Sequence, residues 1–366
     1  MISTDHAAAH LDIDLGAIAD NYRRLAERAG TAECGAAVKA DAYGLGIREV
    51  APALATAGCR RFFVAHLDEG IELRSVLPQA DIAVLHGPWA GSEAEFLRHR
   101  LIPVLNEPGQ IAAWSALARR NGGLEAYLHI DTGMNRLGLA PAELRALAAA
   151  PDRLSGIAIS LVISHLACAE DAESAMNEAQ RHSFDDLRAL LPALPASLAN
   201  SSGIFRGPAY HYDLVRPGAA LYGINPTPGQ PNPQREAVRL RGRIVQIREI
   251  DSAETVGYGA AFRAPRPCRI ATVPVGYADG YLRSFSNRGT AFVAGLEVPV
   301  VGRVSMDLIT IDVTALPQTA VKVGDSVDLI GGGVPLDEAA TRAGSIGYEL
   351  LTALGRRYAR RYRQPT

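Results

Sequence analysis

Lysine is almost missing from this chain: among 366 residues only Lys39 and Lys322 carry it, against a large excess of arginine. Cysteine is also scarce. Cys34, Cys59, Cys168 and Cys268 lie far apart and form no CxxC, so neither a disulfide framework nor a zinc knuckle is indicated, and reduced thiols in a cytoplasmic protein are the expectation. No run of 18 apolar residues occurs, which excludes a conventional membrane-spanning helix. The opening MISTDHAAAHLDID has neither a basic n-region nor a long apolar h-region, so a secretory signal is not expected. The formal charge of −2 speaks against a nucleic-acid partner, and the arginine-rich stretches LARRNGG and GRRYARRYR are short enough to be solvated helix faces. There is no GxxxxGK[ST] phosphate loop and no HExxH. His129, Asp131 and His165 lack a third convincing ligand, so no metal is expected.

What is present is alternation. Short apolar runs (GAAVKA, RFFVAHL, DIAVLHG, LIPVLN, EAYLHID, GIAISLVISHL, ASLANSS, HYDLVRPG) are separated by helix-like segments such as IREVAPALATAG, GQIAAWSALARR and PAELRALAAA. Eight strands alternating with helices in about 225 residues is the expectation for a (β/α)8 barrel, with a doubly wound sheet as the rival. NPTPGQPNPQRE, residues 225–236, reads as a linker. Beyond it, short alternating runs such as RLRGRIVQIREI, RIATVPVGY and DLITIDV predict a mostly-β domain that ends in helical period. The expected division is a barrel over residues 1–228 and a β domain over 229–366, with a first strand near residues 10–15 free to pack on the latter.

In a barrel, chemistry gathers at the C-terminal ends of the strands. Lys39, Arg136, His165, the pair Asn200–Ser201, and Arg216 all fall at or just beyond such ends. A lysine there suits Schiff-base chemistry: a desolvated amine becomes a nucleophile, which an arginine cannot. A strand-end lysine reaching solvent is the plain alternative.

AVKADAYG resembles the pyridoxal 5′-phosphate attachment motif of the alanine racemases. HIDTGMNRLG, SHLACAED, LANSSG, LVRPGAALYG, VGYGAAF, VGYADGYLR, GRVSMDLITIDV and IGYELL resemble further motifs of that family, in the family's order and over nearly the whole chain. The resemblance implies a (β/α)8 barrel with a C-terminal β domain, pyridoxal 5′-phosphate as cofactor, and a homodimer with shared active sites that interconverts L- and D-alanine.

By that resemblance Lys39 holds the cofactor and is the acid/base group on one face of the substrate. Tyr258, in VGYGAAF, is the base on the other face, supplied by a second subunit. A tyrosine base is demanding, since holding it ionised at neutral pH against a reference pKa of about 10 takes roughly 4 kcal/mol. Arg216 would face the pyridine nitrogen, and His165 would stack on the ring. Tyr43, Ser201, Gly218, Ala219 and Tyr348 match phosphate contacts, with Asn200 bracing them. Arg136 and Met306 match the side that receives the substrate carboxylate, and Tyr277 or Tyr281 the entry channel.

One position departs from the family pattern. Where many members have a carbamylated lysine beside the equivalent of Arg136, this chain has His129, which cannot form that carbamate. The alternatives are a broader-specificity racemase on the same cofactor, or a non-catalytic pyridoxal-phosphate carrier. A decarboxylase would need a carboxylate where Arg216 stands.

Overall fold

The computed structural model describes residues 6–364. The part of the signal-sequence reading that rests on residues 1–5 lies outside them. Strand β1 (Ala9–Asp14) leads into a helix, Leu15–Ala29, capped by the Asp14 carboxylate, which accepts from the Ala17 amide at 2.8 Å.

The barrel follows. Its first strand is split by Gly35 into β2 (Glu33–Cys34) and β3 (Ala36–Ala37). Then come β4 (Arg61–Val64), β5 (Asp81–Val84), β6 (Ile102–Leu105), β7 (Leu124–His129), β8 (Ile157–Ile163), β9 (Ala196–Ser197) and β10 (Leu214–Val215). β3 to β9 form one parallel sheet in sequence order, and β10 pairs with β2. Amide bonds from Asp213 to Ala196 (3.0 Å) and Arg216 to Ala199 (2.9 Å) join β10 to β9 and close the ring. All eight predicted barrel runs contain strands. Alternation sorts their side chains: Phe63, Ala83, Val104, Tyr127 and Ile163 pack together as one cluster, whereas Phe62, Val64 and Val162 belong to the main core that includes the helices.

The segment read as a linker is tied down at both ends. Asn21, fully buried, donates to Leu221 and Arg235 carbonyls and accepts from the Arg235 amide, while the Asn225 amide donates to Asp337 at 2.9 Å.

Past it lie β11 (Val238–Arg243), β12 (Gln246–Ile250), β13 (Thr255–Val256), β14 (Phe262–Arg263) and β15 (Cys268–Val273). They are followed by β16 (Thr290–Val293), β17 (Leu296–Pro299), β18 (Ile309–Asp312), β19 (Ser326–Ile330) and β20 (Ala359–Arg363). A six-stranded sheet runs β17-β16-β19-β11-β1-β20, and a three-stranded one β12-β15-β18. The first strand of the chain therefore sits in the C-terminal domain, antiparallel to β11 and parallel to β20. Ion pairs Arg241–Asp12 and Arg239–Asp328 bridge neighbouring strands there, each on a nearly buried carboxylate. Among the described residues no helix is long and apolar enough to cross a membrane.

Candidate active site

Lys39 stands where β3 ends, and the four residues after it turn the wrong way. Ala40, Asp41, Ala42 and Tyr43 have φ between 53° and 57°, a left-handed turn built without glycine. Such a turn costs about 1–2 kcal/mol per residue, so its surroundings must hold it. They do. The Ala40 amide donates to the Glu69 carboxylate at 2.6 Å, Ala42 to the Val38 carbonyl at 2.9 Å, and the Asp41 side chain accepts from Ile47 at 2.7 Å. Lys39 and Tyr43 both line the barrel mouth, and the Tyr43 ring lies 4.6 Å from Tyr222 and 6.2 Å from Tyr348.

That mouth holds a cavity of about 1100 Å³. Lys39, Tyr43, Arg136, His165, Asn200, Ser201, Arg216, Gly218, Ala219 and Tyr348 all line it, so these residues singled out from sequence converge. At one side the Ser201 hydroxyl accepts from the amides of Gly218 (3.0 Å) and Ala220 (3.1 Å). Asn200 caps the short helix Ser201–Phe205 by accepting from Gly203 at 2.9 Å. Gly218 is a close approach: a Cβ there would run into the Tyr43 hydroxyl.

Arg216 is buried, and among the described residues no carboxylate pairs with it. Its guanidinium donates to the Ser197 hydroxyl and, at 2.5 Å, to the Ser164 carbonyl. Asp213, three residues before it, accepts from the Ala196 amide at 2.8 Å instead. Burial pushes Arg216 down to about 10, which still leaves it cationic at neutral pH. The neighbouring bases respond to burial and to that charge. His165 lies well below its ordinary value and His129 is pushed down to about 3, through burial first and Arg216 second. The Lys39 amine is lowered by burial and by Arg136, against which Glu69 pulls upward.

Tyr258 and Met306 do not line the cavity. They are exposed, Tyr258 at 72%, and so is Tyr277. The segments that carry them adjoin: 257–259 pack on 302–303, and the Tyr277 and Ala278 amides donate to the Ser305 and Met306 carbonyls. Tyr281 is no channel residue. It is fully buried and stacked on Phe285 at 4.3 Å, because the GYADGY turn points one tyrosine out and the other into the core. His66, His86 and Trp89 also line the cavity and were not singled out. The runs RFFVAH and DIAVLH end in histidine just past their strands, so the strand-end rule that found His165 would have found these too. Among the described residues no group of three or more metal-binding side chains occurs.

Comparison with known proteins decides the family. Residues 13–226 match the alanine racemase N-terminal domain and residues 237–362 the alanine racemase C-terminal domain. This chain belongs to the alanine racemase family. The alanine racemase of Rhodospirillum rubrum is 52% identical, over 98% of this chain and 96% of its own length. Two from Agrobacterium fabrum, one catabolic and one biosynthetic, are 48% and 46% identical over 98% of this chain and 93% and 94% of theirs. The crystal structure of alanine racemase from Bartonella henselae with covalently bound pyridoxal phosphate superposes with a TM-score of 0.94 at 42% identity, covering 98% of this chain and all of that one.

Proposed function

We propose that this chain is an alanine racemase that holds pyridoxal 5′-phosphate on Lys39. The observation that carries the reading is the meeting, in one cavity, of a lysine whose amine is lowered by burial, a buried arginine that bonds a hydroxyl and a carbonyl, and a hydroxyl–amide cluster suited to a phosphate. The residues present fit the group. Lys39 would hold it covalently, and Ser201 with the Gly218 and Ala219 backbone, Tyr43 and Tyr348 would take its phosphate. When bound, the cofactor supplies an electron sink that acidifies the Cα–H of the amino acid.

The chain's own residues do the rest. Lys39, its amine lowered from the ordinary lysine value by burial and by Arg136, takes or returns the Cα proton on one face. Tyr258 of a second copy serves the opposite face, since one group cannot reach both. Arg136 forks onto the substrate carboxylate, with the Met306 backbone of the second copy alongside. Arg216 stays cationic and would donate toward the ring nitrogen, offering an N–H where an acid would offer a proton. His165, buried and neutral, would pack on the ring. A homodimer with shared sites is supported by the exposure of Tyr258, Tyr277 and Met306 on adjoining segments away from their own cavity. D-alanine for peptidoglycan is the role proposed for the product, in line with the biosynthetic relative. A cytoplasmic location is in keeping with four unpaired cysteines.

The test is an assay of racemisation over alanine, serine, lysine and arginine, with and without added pyridoxal phosphate. Cofactor-dependent turnover of both alanine enantiomers is expected. Faster turnover of lysine or arginine would replace this reading with a broader racemase, and no turnover of any would leave a cofactor carrier.

A further inference from the structure

We infer that Gln180 is a positioning residue for His165: its side-chain amide holds the backbone at and just after that histidine, in the pattern of an absent neighbouring strand, and so sets the ring on which the cofactor packs. The inference rests on the pyridoxal-phosphate reading of the site and adds to it a residue that does not line the cavity.

Gln180 lies on the buried face of the helix Met176–Arg188, in line with Phe184 and Leu187, and is itself fully buried. Such a stripe ordinarily carries apolar side chains, and an amide buried there costs free energy unless its polar atoms are bonded. Here they are. Nε2 donates to the His165 carbonyl at 2.9 Å and to the Thr132 hydroxyl at 3.2 Å, while Oε1 accepts from the Ala167 amide at 2.8 Å.

The amide stands where a strand has left. β8 runs between β7 and β9 in the barrel sheet. On the β7 side the Ile130 amide donates to the Ile163 carbonyl at 2.9 Å. The chain then turns away at Asp131, whose carboxylate accepts from the amides of Gly133 (2.9 Å) and Met134 (3.0 Å). By the two-residue repeat of a strand, the His165 carbonyl falls on the side that β7 has vacated. A residue of a parallel strand donates to one carbonyl of its neighbour and accepts from the amide two residues on. Gln180 does both with one side chain, at 165 and 167. The alternation of β8 is thereby carried past its end: His165 lines the cavity and Leu166 is buried in the core.

The same support reaches Arg216. The Thr132 hydroxyl that Gln180 meets lies 2.8 Å from the Ser164 hydroxyl, and the Ser164 carbonyl accepts from Arg216 at 2.5 Å. Gln180, Thr132 and Ser164 are all buried, so these bonds form away from competing water.

The experiment titrates pyridoxal phosphate into three apo proteins: the wild type, Gln180→Met and Phe184→Leu. Gln180→Met keeps the length of the side chain and loses its bonds. Phe184→Leu loosens the same helix face at a ring packed on Tyr212. The free cofactor is achiral, so its visible circular dichroism when bound reports what packs on its ring. Gln180→Met should bind at least about fivefold more weakly and lose about half of that signal. Phe184→Leu should lose stability in urea, with both cofactor readouts within about twofold of the wild type. Cofactor readouts left unchanged in Gln180→Met, or moved as far by Phe184→Leu, would overturn the inference. Should Gln180→Met not fold, Gln180→Ala, which leaves room for water to meet the two backbone groups, must show the same cofactor changes or the inference fails. A wild type that binds no pyridoxal phosphate would instead remove the functional reading, and this inference with it.

Discussion

Glu69 holds the amide of Ala40, the residue after Lys39, at 2.6 Å. Its second oxygen takes the amides of Ala65 (2.7 Å) and His66 (3.1 Å), so one carboxylate fastens the left-handed turn to the end of β4. The same charge is the one that opposes the lowering of the Lys39 amine. Glu69→Ala should therefore loosen the turn and drop the amine further. A loss of about 2 kcal/mol in urea unfolding is expected, with weaker cofactor retention, and Glu69→Gln should lose less because an amide oxygen still accepts. Equal stability of the alanine variant and the wild type would show that the turn is held elsewhere.

Lysine scarcity makes the attachment site unusually easy to read. Borohydride reduction of the cofactor-loaded protein should fix the label on Lys39, and mass spectrometry has only Lys322 as the other candidate. Lys322 starts a surface turn, its amide bonded to Asp325, and does not line the cavity. Label on Lys322 alone would overturn the assignment.

Gly218 offers a test of the phosphate cluster that leaves the acid/base groups in place. Its φ of −129° is not left-handed, and the crowding that a side chain would meet there is severe. A methyl group there would displace the Tyr43 hydroxyl and lie 3.3 Å from the Ala37 Cβ. Gly218→Ala should fold normally by circular dichroism yet bind pyridoxal phosphate about tenfold more weakly, or worse. Unchanged affinity would move the phosphate elsewhere in the cavity.

Much of this was legible in the sequence, for identifiable reasons. Short apolar runs set between helix-like segments marked the barrel strands, and the strand-end rule marked Lys39, Arg136, His165, Asn200 and Arg216 as neighbours. The place of β1 stayed open because AHLDID has the same pattern in either domain, and only its pairing with β11 and β20 settles it. The left-handed turn left no trace: ADAY contains no glycine, and its conformation is imposed by Glu69 and by Asp41's bond to Ile47. Asn106 was missed for a similar reason, since an amide at a strand end looks like a turn residue until its three partners are seen. Tyr277 and Tyr281, four residues apart in one motif, could not be told apart without the turn that separates them.

Acid stability should carry the signature of His129. Its folded value of about 3 lies below the ordinary 6.5, chiefly through burial and then through Arg216, so the unfolded chain binds a proton that the folded one refuses. The stability present above pH 6.5 is therefore lost as pH falls toward 3. Arg136 adds to the depression, Asp131 opposes it, and the neighbouring His165 titrates in the same sense. His129→Gln removes one such group, so urea unfolding at pH 7 and 4.5 should show the wild type losing about 2 kcal/mol more than the variant over that interval. Parallel losses would mean that the ring is not held neutral.

Tyr258 tests the shared site. It is exposed and absent from the cavity of its own chain, so a substitution there should spare folding and cofactor binding. Tyr258→Phe keeps the ring and removes the hydroxyl. If that hydroxyl handles the proton on the face opposite Lys39, removal of the L-enantiomer's proton should slow by a factor on the order of 10² to 10⁴, the usual range for losing a general base. Mixing Lys39→Ala with Tyr258→Ala chains separates sharing from simple loss. A mixed dimer pairs a Lys39 with the Tyr258 of the other chain in one of its two sites, so activity absent from either parent should return, up to about half the wild-type level per mixed dimer, because one site of two is restored. Proven subunit exchange with no recovered activity would mean that each chain completes its own site, and the exposed tyrosine would then belong to the surface alone.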